Sequence, residues 1–148
     1  MSAWLGGGSG PLRTSSAQAS QRPRIVTRRL RRYYVEAEAL LHAGDIDTAL
    51  IAARRSLAEL TEVGYGSGCA RAHAVIAECM LRTDPATAVP HARSVIDYYA
   101  REQIYPMLRM AGLDLGRRVA EAVGTPGLFD EIDTGIDVPH LEEFPQFS

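Results

Sequence analysis

The stretch Ala43 to Leu60, AGDIDTALIAARRSLAEL, decides the fold. Gly44 suits the left-handed residue that closes a helix, and Asp45 suits the N-cap of the next one. Ile46, Ala49, Leu50, Ala53, Leu57 and Leu60 then recur at three and four residues, so they share one face of a helix running from about Ile46 to Val63. Ala49 and Ala53 are small, which lets a neighbouring helix approach closely.

The same pattern returns 39 residues later. The shift sets Asp45 on Asp84, Ala49 on Ala88, Ala53 on Ala92, Arg54 on Arg93, Leu57 on Ile96 and Leu60 on Tyr99. Two helix pairs at a fixed spacing are a repeat signal.

Working outward, a first helix is expected from about Ile25 to Ala43, with Leu30, Tyr33, Tyr34, Ala37, Leu40 and Leu41 in one stripe. Its first half carries Arg28, Arg29, Arg31 and Arg32, and cations there oppose the helix dipole. After the second helix, Gly64-Tyr65-Gly66-Ser67-Gly68 reads as a loop by composition. A third helix is expected from about Cys69 to Arg82, with Ala72, Val75, Ile76, Cys79 and Met80 inward. Asp84 can cap a fourth, with Pro85 at its first position, where a missing N–H costs nothing. Ala88, Ala92, Val95, Ile96 and Tyr99 continue its stripe. Pro90, six positions in, is expected to kink this helix or delay its start. A fifth is expected from about Ile104 to Val123, carrying Ile104, Leu108, Ala111, Leu115, Val119 and Ala122. Gly112 and Gly116, four apart, favour a close helix–helix contact. Gly124 and Pro126 end the helix.

Charge is distributed unevenly along the 148 residues. Residues 1–35 hold seven Arg and no acid, whereas residues 124–148 hold six acids and no Arg. All basic residues are Arg; Lys and Asn are absent, which points to a GC-rich genome rather than to guanidinium chemistry. Residues 1–23, rich in Gly, Ser, Gln and Pro, cannot bury enough apolar surface to offset ordering and are expected to form a disordered arm. An organellar transit peptide is the other reading of that acid-free composition. Residues 124–148 are expected to form an acidic tail. It holds all three Phe of the chain, Phe129, Phe144 and Phe147, which a merely solvated tail would not need. The tail is therefore expected to dock on the helices, near the Arg-rich first helix or along a groove. The domain division expected is 1–23, 24–123 and 124–148.

Residues 30–123 resemble the tetratricopeptide repeat family, in the longer-period form common in regulators of GC-rich bacteria. The strongest element is Gly44-Asp45 followed by Ala49, the family's turn into its second helix. Tyr33 stands where the family prefers Trp, and Leu40 where it prefers Tyr. Glu36 departs from an expected Leu, and Thr83 from the turn Gly. The resemblance implies an all-α fold of antiparallel helical hairpins, wound into a right-handed superhelix of about five helices. It also implies that the first helix of each pair lines a groove for an extended peptide. The facing positions would be Arg31, Tyr34, Glu38 and Leu41, then His73, Ala77 and Met80, with Arg109 from the fifth helix. Family members that clamp a peptide's terminal carboxylate use Lys and Asn, and this chain has neither. Two units and a helix are close to the minimum, so dimerisation or docking on a larger protein would relieve the exposed ends. A generic helical bundle, in which small-residue stripes also arise, is the plainer alternative.

Chemistry finds little support in the sequence. Cys69 and His73 share a helix face, and His91 and Cys79 are candidates to join them, but no C-x-x-C or H-E-x-x-H ligand spacing exists. Phosphate-loop and nucleophile-elbow motifs are absent, so no enzyme, metal or cofactor is expected. Cys69 and Cys79, ten residues apart on one helix, lie about 15 Å apart along its axis and cannot pair; a reduced cytoplasm is the expected setting. No apolar run reaches the ~18 residues of a membrane span. The expected function is non-catalytic protein or peptide binding as a scaffold or regulatory piece. A nucleic-acid-associated regulator using the Arg22–Arg32 run is the alternative.

Overall fold

A computed structural model describes residues 29, 31–32, 34–102 and 106–134. Among them the fold is helical, with no strand. Helix α1 is continuous over 34–42. It is followed by α2 (Ile46–Val63), α3 (Gly66–Thr83), α4 (Pro85–Glu102) and α5 (Pro106–Ala122). Connections of one to three residues between α2, α3, α4 and α5 force successive helices to fold back as antiparallel neighbours, and each packs on the next.

Three of the helix ends are closed by the same device. Gly44, Gly64 and Gly124 take φ of 85°, 75° and 76°. In each case the glycine N–H bonds three residues back and the following N–H bonds five back: Gly44 to Leu41 and Asp45 to Leu40, Gly64 to Thr61 and Tyr65 to Leu60, Gly124 to Glu121 and Thr125 to Ala120. This satisfies carbonyls that the last turn would otherwise leave bare. Asp45 caps α2 through its carboxylate, which accepts from the Thr48 N–H at 3.4 Å. Asp84 differs. Its carboxylate accepts from the Thr87 hydroxyl at 2.7 Å, and its backbone carbonyl takes the Thr87 N–H.

α3 lies at the centre. It contacts α2, α4 and α5, and α1 reaches it through Glu38. Gly68, Ala70, Ala72, Val75, Ile76, Ala77, Cys79 and Met80 are all buried along it. The sister positions Ala49 and Ala88, and Ala53 and Ala92, are fully buried. Small residues at these crossings let the helices close up. Leu60, Ile76, Val95 and Val119 fill the space between, each worth about 1.5–3 kcal/mol of transfer from water.

Several expectations are corrected. Gly64 to Gly68 is not a loop: the turn is two residues and α3 begins at Gly66. Gly68 serves packing instead, since a Cβ there would lie 2.7 Å from the Tyr65 ring and 3.0 Å from Leu60. Pro90 does not delay α4, which starts at Pro85 and runs through it. On α5, Ala111 and Ala122 are exposed, and the inward stripe runs Gly112, Leu115, Gly116, Val119, Ala120. The glycines, apolar only by omission, escape a count of large side chains. Ile104, Leu30, Tyr33 and residues 1–23 lie outside the described residues. The packed unit also continues past 123: Phe129 and Thr134 are buried.

Candidate functional site

The sequence-expected groove positions do not form one open surface. Arg31 is exposed. Tyr34 is buried with Leu60 and Ala72, and the Arg71 guanidinium lies 5.1 Å from its ring centre. Burial, and the neighbouring Tyr65 phenol, push the Tyr34 phenol up to about 12. Ala77 and Met80 are core residues. Leu41 is partly buried against the core. The reason is the central place of α3: with partners on several sides, it has little face left for a ligand.

Glu38 is engaged from within the chain. Both its oxygens accept from Arg71 at 2.7 Å. A second such pair joins α3 to α5, where both oxygens of Glu78 accept from Arg118 at 2.9 and 2.6 Å, with Asp114 bracing the same guanidinium at 3.0 Å. α1 is thus clamped to α3, and α3 to α5, by paired carboxylates and guanidinium groups between helices. Arg71 and Arg118 carried no signal beyond lying on the polar side of their helices.

His73 on α3 and His91 on α4 do come together, with Nδ1 atoms 2.9 Å apart and ring centres 5.1 Å apart. One ring must donate and the other accept, so at least the accepting imidazole is neutral and the two cannot both be protonated. Burial agrees: it pushes His73 down to about 4, aided by His91, and pushes His91 down, aided by the Arg54 charge. The cysteines do not join. Cys69 sits 3.6 Å from the Thr61 hydroxyl, and Cys79 donates to the Ile46 carbonyl at 3.7 Å. Burial holds the Cys79 thiol high, which keeps it protonated and unreactive. Among the described residues no three potential ligands are grouped for a metal.

The most developed surface is the groove between α4 and α5, along which residues 125–134 run back from Gly124. Phe129 drops into a notch above Gly116, where a Cβ would lie 2.5 Å from Ile96 Cδ1 and 3.1 Å from Phe129 Cδ2. Arg93 closes the notch. Its guanidinium lies 5.1 Å from the Phe129 ring centre and donates to Glu131. Leu128 and Ile132 pack against the core on either side. Further along, Arg109 Nη1 donates to the Thr134 carbonyl at 3.0 Å. Arg109 Nε is buried and has no hydrogen-bond partner among the described residues. An open cleft of about 520 Å³ adjoins, lined by Asp97, Ala100, Arg101, Ile132 and Asp133. Arg109, Gly112 and Gly116 recur on one stripe of α5, so the guanidinium and the glycine notch face the same strip of chain.

Of the two places expected for the tail, the first helix and a groove, the described part lies in a groove, the one between α4 and α5. Phe129 docks, but at the α4–α5 end and not at the first helix, because Gly116 leaves the space and Arg93 supplies the charge there. Phe144 and Phe147 lie outside the described residues. No helix among the described residues is long and apolar enough to cross a membrane. Compared with known proteins, the chain matches no family model, no curated protein and no solved structure.

Proposed function

We propose that this chain is a non-catalytic protein- or peptide-binding module on a tetratricopeptide-like helical scaffold, acting as a scaffold or regulatory component in the cytoplasm. One observation carries the reading: an irregular, acidic segment of polypeptide lies in a groove between two helices, held by an aromatic anchor and by guanidinium groups. Those are the means by which helical scaffolds hold peptides in general: an anchor in a pocket and charge to orient it. The 39-residue recurrence of capped, Ala-striped helices supports the repeat character, and two free cysteines suit a reducing compartment.

Exposed Arg29, Arg31 and Arg32 favour a second reading, nucleic-acid association through the basic end. Affinity capture from native lysate separates the two, using the full chain and a chain ending at Gly124. The binding-module reading expects a protein that rebinds the purified chain saturably, with capture altered by removing the tail. Recovery of nucleic acid alone, bound with steep loss on raising salt, would overturn it.

A further inference from the structure

We infer that the α4–α5 groove is a binding site for an acidic peptide with an aromatic residue two positions before a carboxylate, and that residues 125–134 occupy it as an intramolecular stand-in. The inference rests on the peptide-binding reading above and assigns its site and ligand chemistry.

Three features set that chemistry. The notch over Gly116 exists because position 116 has no side chain, and an aromatic ring fills it. Arg93 acts on two ligand groups at once: it covers the ring of Phe129 and donates to the carboxylate of Glu131. A ligand must therefore bring a ring and an acid within reach of one guanidinium, which Phe129 and Glu131 do here from successive turns of the chain. Arg109 adds a third contact, to the backbone at Thr134, while its buried Nε finds no partner among the described residues. Among the described residues the groove thus holds one donor, Arg109 Nε, that the chain's own segment does not use. Acidic character is favoured by Arg93 and Arg109, with Asp97 on the rim limiting how far along α4 a carboxylate is welcome.

The stand-in's hold is apolar at Phe129, and its polar part is modest. Glu131 keeps 59% of its side chain exposed and Arg93 38%, so their ion pair is screened and weak. The sister residue Arg54, at the same place on α2, is exposed and has no such segment over it among the described residues. A segment tethered through Gly124 competes at an effective concentration in the millimolar range, which a partner of higher affinity can exceed.

The test uses a fluorescent peptide TPGLFDEIDT, residues 125–134, titrated into the full chain carrying Phe129→Ala, with anisotropy as readout. Saturable one-to-one binding is expected. It should be weaker by about tenfold or more for the peptide TPGLADEIDT, since a buried ring is lost, and strongly weakened by adding Arg93→Glu to the chain. Wild-type chain should bind the peptide more weakly than the Phe129→Ala chain, because its own segment competes. Circular dichroism checks that Phe129→Ala remains helical. Should it unfold, Glu131→Arg, which changes an exposed charge, is expected to raise peptide binding above wild type in its place. Equal binding of the two peptides overturns the site, as does binding indifferent to Arg93→Glu, or no gain over wild type in either variant. Concentration-dependent dimerisation of wild type that Phe129→Ala abolishes also overturns it, assigning the groove to a second copy's segment. A captured protein partner indifferent to Arg93→Glu removes this site but leaves the peptide-binding reading standing. Absence of any protein partner removes both.

Discussion

Helices α2 and α4 are sisters, related by the 39-residue shift, and they differ in what they carry rather than in how they pack. Both are 18 residues long. Ala49 and Ala88 are sealed alike, as are Ala53 and Ala92, and Leu60 and Tyr99 close the same end of the stripe. On the outside the two diverge. Arg54 lies exposed and lends its charge to His91, while Arg93 clasps Phe129 and Glu131. Ala52 on α2 corresponds to His91 on α4, which meets His73. The lesson is that the recurring core residues set the scaffold, and the outward positions beside them are where, among the described residues, α4 carries a packed segment and α2 does not.

The comparison breaks first at its shared part. Ala53→Leu and Ala92→Leu each force a large side chain into a fully closed crossing and should each cost about 3 kcal/mol; urea unfolding would show it. If only one is costly, the two units are not equivalent.

Next come the two glycines of α5 that face α4. Gly116→Ala places a Cβ 2.5 Å from Ile96 and 3.1 Å from Phe129. Overpacking of about 2 kcal/mol outweighs the ~1 kcal/mol gained in helix propensity, so net loss is about 1 kcal/mol. Gly112→Ala meets only Val95 at 3.3 Å and Tyr99 at 3.7 Å, and should be neutral or stabilising by about 0.5 kcal/mol. Thermal melts of the pair decide whether Gly116 is a notch or only a weak helix former.

At the outward positions, Arg93→Ala should cost up to about 1 kcal/mol, from an exposed ion pair and a cation–ring contact. Arg54→Ala should lie within about 0.5 kcal/mol of zero. Equal effects would erase the distinction between the sisters.

The histidine pair is read as a slope with pH. His73 in the folded chain titrates at about 4 and His91 below its ordinary value. Between that range and the ordinary ~6.5, the unfolded chain binds more protons than the folded one, so stability is present above 6.5 and is lost as pH falls toward 4. His73→Gln should flatten the fall in urea midpoint over that window. Arg54→Ala, by removing the nearby cation, should bring the folded His91 back toward its ordinary value, so the fall attributable to His91 should be smaller and end at a higher pH.

How much was legible varies by residue. The helix caps at Asp45 and Gly44, and Pro85 as the first residue of α4, were read correctly because capping is a local matter of one side chain and one turn. So were the stripes of α3 and α4, where apolar spacing alone selects the face. Gly68, Gly112 and Gly116 were harder: composition marks glycine as a breaker, yet each lies in a helix at a point of close approach, a property of the neighbour and not of the residue. The candidate site was legible in part. Phe129 was singled out as a docking residue, but its receptor was not, because Gly116, Ile96 and Arg93 are brought together from separate helices.

By itself, then, the sequence determined the helical class, the bounds of α2, the cap and first residue of α4, the 39-residue recurrence and the segregation of charge, all of which depend on periodicity and local hydrogen bonding within about one turn. Tertiary structure alone decided the pairings across helices: Glu38 with Arg71, Glu78 with Arg118, His73 with His91, and Phe129 over Gly116. Those contacts join residues 13 to 40 apart in the chain, and no local pattern can specify which of many exposed Arg and Glu will meet once the helices have packed.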